Sequence, residues 1–172
     1  MSRLVIWLTV ALMVTMPLSL LAGRVWLDPL SDLSANALTI LVDLRLPRVI
    51  LAVTLGAGLG AAGAAMQGYL RNPLADPGLF GIAPGAALGA VLSFWTGWAA
   101  MAWTLPLFAL TGAGLAMALL GLIAGRTGSA MLFTLAGMMI ASLAGALMSL
   151  AISLAPSPFA MSEIVTWLMG AL

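Results

Sequence analysis

RLPRVILAVTLGAGLGAAGAAMQGYLRNPLADPGLFGIAPGAALG, residues 45–89, is the stretch that decides the fold. Arg45 and Arg48 flank Pro47, and an apolar run rich in Gly and Ala follows as far as Leu70. Within it Gly56 and Gly60 form a GxxxG pair, and Gly81, Gly85 and Gly89 repeat that spacing further on. Four residues are close to one helical turn, so each set lies on one face of a helix. Helices in hydrocarbon have no hydrophobic drive toward each other, and such notches let their backbones approach and gain packing contacts. Between the two sets lies a corner in which Asn72-Pro73 and Asp76-Pro77 each put a capping side chain directly before a proline. The side chain accepts an N–H that the first helical turn leaves orphaned, and proline supplies the helical φ. A short turn between two helix starts is expected, with the next helix beginning at Pro77.

Composition points to lipid as the solvent. Charged residues are 6% of the chain and hydrophobic ones 63%, against about 25% and 45–50% in soluble domains. All the basic residues are arginines, at positions 3, 24, 45, 48, 71 and 126, and the acids are Asp28, Asp32, Asp43, Asp76 and Glu163. Without lysine or a basic cluster, a nucleic-acid partner is excluded. Cys and His are both absent, which removes disulfides, thiol and imidazole catalysis and the usual zinc sites. No GxSxG, HExxH, Walker A or paired-carboxylate pattern occurs. The chain is therefore expected to be no enzyme and to hold no cofactor or metal, and energy for any transport must come from another subunit.

A membrane helix needs about 20 mainly apolar residues. By that measure five spans are expected, at residues 4–22, 48–70, 77–95, 99–124 and 129–154. The first is longer than the roughly 7–15 apolar residues of a cleaved signal core and lacks an AxA-like exit, so it reads as a retained span. Residues 23–47 form a linker carrying Asp28, Asp32 and Asp43, with Pro29 in a turn and a short interfacial helix over 33–44. Ala155-Pro156-Ser157-Pro158 stops the fifth span, and the apolar stub 164–172 is too short to cross. The expected fold is an all-α polytopic membrane protein of about five transmembrane helices plus that stub, one incomplete domain over 1–172. No acid falls inside a span, which argues against a proton relay. Charge does not orient the chain: with the N-terminus inside, Arg3, Arg71 and Arg126 balance Arg24, Arg45 and Arg48.

On the fifth span Gly137, Ala141, Gly145, Ser149 and Ser153 recur at every fourth position. A small-residue face that turns to serine suits either interhelical hydrogen bonds or the wall of a wet passage. Pro84 and Pro106 fall inside the third and fourth spans, where each removes a backbone bond and is placed to kink its helix. The methionines are dispersed and form no metal-binding array. Gln67 must find a polar partner or reach the interface.

Several of these segments resemble the FecCD-type permeases of ABC importers for iron–siderophores, haem and cobalamin. The likeness is carried by RLPR (45–48), GAGLGAAGAAMQ (56–67), RNPLADPG (71–78), GIAPGAALGA (81–90), LAGMMIAS (135–142) and WLMGAL (167–172), within residues 40–172. By family analogy it implies the N-terminal half of a roughly ten-helix permease in the bacterial inner membrane, with its N-terminus cytoplasmic. It also implies a second permease subunit (identical or paralogous), an ATP-binding subunit and a periplasmic substrate-binding protein. Arg45 and Arg48 match the outer arginines that meet glutamates of the binding protein, where charge complementarity steers docking. Read without that resemblance, they anchor a helix end at the headgroups. The fifth helix lines the passage in this family, which makes Gly137, Ala141, Gly145 and Ser149 candidates for its wall. Iron–siderophore is the expected cargo, with haem or cobalamin as alternatives and a non-transporting membrane scaffold as a reading of a different class. The family's ATPase-coupling segment lies beyond Leu172, so the chain is expected to be a fragment, split product or truncated form that does not couple ATP hydrolysis by itself.

Overall fold

The computed structural model describes residues 3–23, 35–125 and 128–170. The expectations at Arg24, Asp28, Pro29, Asp32 and Arg126 lie outside them. Among the described residues every regular element is helical. The chain divides into two compact units, residues 1–62 and 63–172.

The first unit holds α1 (Arg3–Leu21), α2 (Ala35–Thr39), a π-helical turn (Ile40–Arg45) and the start of α3 (Leu46–Leu70). The turn and α3 continue one rod, which accounts for the expected interfacial helix and second span together. The π turn has a local cause. Pro47 has no N–H to give the Asp43 carbonyl, and its ring crowds that carbonyl. The Leu46 N–H instead reaches back five residues to the Leu41 oxygen.

The second unit holds the end of α3, a 3₁₀ turn (Pro77–Phe80), α4 (Ile82–Trp95), a 3₁₀ turn (Trp98–Ala100), α5 (Thr104–Ala124), α6 (Ala130–Ser153) and α7 (Pro158–Leu168). Phe80, Ala116, Leu120, Ala124, Ala136 and Ile140 are its buried cluster, with Met66, Leu70, Leu132 and Phe133 packed against it. The Phe133 ring lies tilted against the Phe80 ring at 5.1 Å and meets Tyr69 in an edge contact at 5.4 Å. At the far end of the helices the Trp95 indole N–H donates to the Leu154 carbonyl at 3.0 Å. There α7 starts on a Ser157 cap, whose hydroxyl accepts from the Ala160 N–H at 3.1 Å. Its Ile164 is fully buried and its Trp167 lies 6.1 Å from Phe94 of α4.

Among the described residues, four helical segments are long and apolar enough to cross a membrane: Arg3–Leu21, Ala37–Leu70, Thr104–Ala124 and Ala130–Ser153. The expected continuous helix over 77–95 is not found. A 3₁₀ turn fills 77–80, Gly81 breaks the path at φ 79°, and α4 has only 14 residues, a rise of about 21 Å. Gly81 has two reasons to be glycine. Its φ is left-handed, and a Cβ there would stand 2.7 Å from Ile140 Cγ2 and 2.9 Å from the Ala141 nitrogen. This break also corrects the expected kink at Pro84, which now falls in the first turn of α4, where its missing N–H costs nothing. Pro106 sits likewise in the first turn of α5. Pro17 lies within α1, and Pro47 lies within the rod made by the π turn and α3.

Candidate functional site

The π turn carries Arg45, and its guanidinium Nη1 donates to the Leu20 and Leu21 carbonyls at 2.8 and 2.7 Å. Those carbonyls end α1, where the last turn has no intrahelical donors and a cation is favoured by the helix dipole. Gly23 makes room: a Cβ there would stand 2.9 Å from the guanidinium carbon. Arg45 is half-buried, whereas Arg48, one turn further on, is exposed. Both line a cavity of about 460 Å³ together with Ser19, Ile40, Leu44 and Val49. The structure thus brings the two arginines to one site but gives Arg45 a capping contact that its sequence position does not reveal.

At the other end of α3 both capping side chains bond as expected, but Asn72-Pro73 opens a turn rather than a helix and Asp76-Pro77 starts a 3₁₀ turn. The Asn72 Oδ1 accepts from the Leu74 N–H at 2.9 Å, and the Asp76 Oδ1 accepts from the Gly78 N–H at 2.6 Å. Pro73 and Pro77 follow these two side chains. The α3 terminus itself is closed by Asn72 N–H to Gln67 O at 3.2 Å and Arg71 N–H to Gly68 O at 3.4 Å. These are the paired bonds of a Schellman motif. Its left-handed position is normally a glycine; here it is Arg71, at φ 50°.

Gly85 and Gly89 form the α4–α5 seam. A Cβ at Gly85 would stand 2.8 Å from the Gly112 oxygen, and one at Gly89 would meet the Phe108 carbonyl oxygen. Gly112 answers from α5, where a Cβ would run into the Gly85 oxygen. The sequence reading missed Gly112, although it stands in the small-residue run Thr111-Gly112-Ala113-Gly114. Gly56 and Gly60 behave differently from expectation. Nothing lies within 4 Å of a Cβ at either position, so the GxxxG face of α3 is open in the described residues. Gly56 lines an apolar groove of about 480 Å³ with Leu12, Thr15, Met16, Ala52 and Val53.

The α6 stripe does not stay on one surface. Gly137 is buried, with Phe80 Cα and Cδ1 each 2.9 Å from a Cβ built there, so it packs against the core. Ala141 backs onto Gly81. A Cβ at Gly145 meets nothing within 4 Å, and Ser149 is exposed. The cause is helical pitch. Four residues turn about 400°, so a strict every-fourth stripe drifts about 40° per step. Between 137 and 149 the face swings from the core to the open side.

Apolar helices, with α4 seated on α5 through glycine and a double Asx-Pro corner leading into α4 from α3, define an all-helical polytopic membrane protein of the permease class. The chain belongs to the FecCD transport family, whose model matches residues 5–172. It is 37% identical over 164 residues to the vitamin B12 import system permease protein BtuC of Klebsiella pneumoniae subsp. pneumoniae, covering 95% of this chain and 49% of that protein. The BtuC of Salmonella paratyphi A is 37% identical over 154 residues, 89% of this chain and 47% of that one. Among solved structures, a metal-chelate type ABC transporter in an inward-facing conformation superposes with a TM-score of 0.84 at 30% identity, over 98% of this chain and 53% of that chain. The chain thus spans about half the length of the curated relatives it matches.

Proposed function

We propose that this chain forms the first half of the permease pathway of a bacterial inner-membrane ABC importer for a metal chelate. The observation that carries the reading is the α3–α4 corner followed by the α4–α5 glycine seam, both within the residues matched by the FecCD family. Vitamin B12 becomes the first cargo to test, because the curated relatives are B12 permeases at 37% identity. The iron–siderophore expectation keeps family-level support alone. Partners are a separate ATP-binding subunit, a second permease subunit and a periplasmic binding protein, and the N-terminus is cytoplasmic.

Docking of the binding protein falls chiefly to the exposed Arg48, while Arg45 holds α1 and supports the site electrostatically. On α6, Gly145 and Ser149 border the passage, and Gly137 and Ala141 hold its scaffold. The test is uptake by the complete importer, in cells lacking their own B12 and siderophore systems, of labelled cyanocobalamin against a labelled ferric siderophore. Cobalamin uptake abolished by Arg48→Glu supports the whole reading. Siderophore uptake alone moves the cargo, and no ATP-dependent uptake of any metal chelate refutes the importer.

A further inference from the structure

We propose that Trp95 is a positioning residue for transport: its indole N–H ties the α6–α7 corner to α4 and so sets where the second half of α6 stands. This rests on the reading of Gly145 and Ser149 as the border of the passage, and names what keeps that border in place.

The need for such a bond is written into the end of α6. In a continuing helix the Ile152 and Leu154 carbonyls would accept from residues 156 and 158, and both are prolines without an N–H. Ile152 is served locally, by the Ala155 N–H at 3.2 Å. Leu154, which caps α6, is served from another helix: Trp95, the last residue of α4, donates its Nε1–H at 3.0 Å. A sheltered carbonyl left without a donor costs more than a made bond returns. α7 rides with the corner, since its Trp167 lies 6.1 Å from Phe94, the neighbour of Trp95. One end of α4 thus serves both helices.

The two halves of α6 are held differently. Gly137 and Ala141 bring the first half into close contact with Phe80 and Gly81. Past them an apolar groove of about 310 Å³ runs between α4 and α6, with Leu88, Leu92 and Trp95 on one side and Leu147, Leu150 and Leu154 on the other. A cavity of about 350 Å³ continues it, sharing Leu88, Leu92 and Leu147. α4 itself is fixed to α5 by the glycine seam. At about 100° per residue, Leu147, Leu150 and Leu154 stand roughly 140–200° round α6 from Gly145. The groove is therefore behind the wall, on the back of a helix whose front carries Gly145 and Ser149. Movement of α6 into the groove displaces the wall, and the indole that bridges the two helices opposes it.

The test uses the complete importer with its binding protein in proteoliposomes, given labelled cyanocobalamin and a labelled ferric siderophore in separate runs. Cargo imported per ATP hydrolysed is the readout. Trp95→Phe keeps a ring and removes the N–H. Replacing Trp95 by 3-benzothienylalanine, with sulfur in place of the N–H, removes the donor at unchanged shape. One hydrogen bond biases a two-state equilibrium by about two- to tenfold, so both variants should import about two to ten times less cargo per ATP while hydrolysis continues. A merely structural role lowers import and hydrolysis together, and an unchanged ratio in both variants overturns the proposal. A loss in Trp95→Phe that the sulfur isostere does not share assigns the effect to ring packing and overturns it too. Import of neither cargo by the wild type refutes the importer reading itself, and this proposal with it.

Discussion

Gly89→Ala adds one methyl group to a seam that has no space for it. The new Cβ would meet the Phe108 carbonyl oxygen and stand 2.8 Å from its carbon and 3.4 Å from Ala109 Cα. All three are backbone atoms of α5, so no rotamer change relieves the overlap and α4 must move off α5. Ala90 and Val91, both fully buried beside it, lose packing in the same movement. Overpacking of this kind costs about 1–3 kcal/mol. For a chain of this size that lowers the unfolding midpoint by about 2–12 °C. Gly114→Ala is the matched control: a Cβ there meets nothing within 4 Å. Replacing a helical glycine at that site should stabilise by up to about 1 kcal/mol. Thermal unfolding in detergent, followed by circular dichroism, then gives opposite signs for one chemical change. Gly112→Ala sharpens the test, because its Cβ would stand 3.2 Å from Gly89 Cα. Helices already parted by one methyl group should accept the second at less than its single cost, a coupling of about 0.5–3 kcal/mol. Equal stability of Gly89→Ala and Gly114→Ala, or strict additivity in the double variant, would refute the close seam.

The other sites give smaller and separable effects. Arg71→Gly should raise stability by about 1 kcal/mol, since a side chain at a left-handed position costs that much or more; an unchanged or lower midpoint in detergent contradicts the assignment. Asp76→Ala should lose about 1 kcal/mol of capping, while Asp76→Asn keeps most of it because the amide oxygen still accepts from Gly78. Arg45→Gln removes charge-assisted bonds to two carbonyls, worth about 1.5–3 kcal/mol in sheltered sites. Arg45 is only half-buried, so the lower part of that range applies, read as faster proteolysis after α1. On α6, Gly137→Leu should prevent folding by striking Phe80, whereas Ser149→Leu should leave the midpoint unchanged. Equal effects of those two would contradict the division of the stripe.

Local chemistry was readable in the sequence wherever it closes within a few residues. Asn72 and Asp76 each bond a backbone N–H two positions on, and a side chain before proline announces that bond. The Gly85 and Gly89 notches were readable for a similar reason, since helical spacing places both on one face. Their partner was not, because a contact between helices has no fixed spacing, and Gly112 lies 23 residues beyond Gly89. The break at Gly81 did leave a signal. Pro84 three residues later marks the first turn of a new helix better than the middle of an old one, and glycine just before it supplies the left-handed joint. The π turn also left one, in Pro47 four residues after Asp43. Nothing near Arg45 in sequence points to the Leu20 and Leu21 carbonyls, which become its neighbours only when α1 returns to the π turn.

The drift of the α6 stripe explains how one helix presents a packed face along one half and an open face along the other. A face repeating every third and fourth residue in alternation would stay against the core along its whole length. Repeating every fourth residue without correction, α6 binds Phe80 and Gly81 with its first half and carries its small residues out of the core with its second. The serines come in at that second half. Ser153 returns its hydroxyl hydrogen to the Ser149 carbonyl at 2.9 Å, so it brings polarity to the open face while remaining satisfied within its own helix. The open face of the second half is therefore small and weakly polar, with the Ser153 hydroxyl satisfied inside the helix. The rigid half of α6 and the permissive half thus follow from one departure of the residue spacing from the helical period.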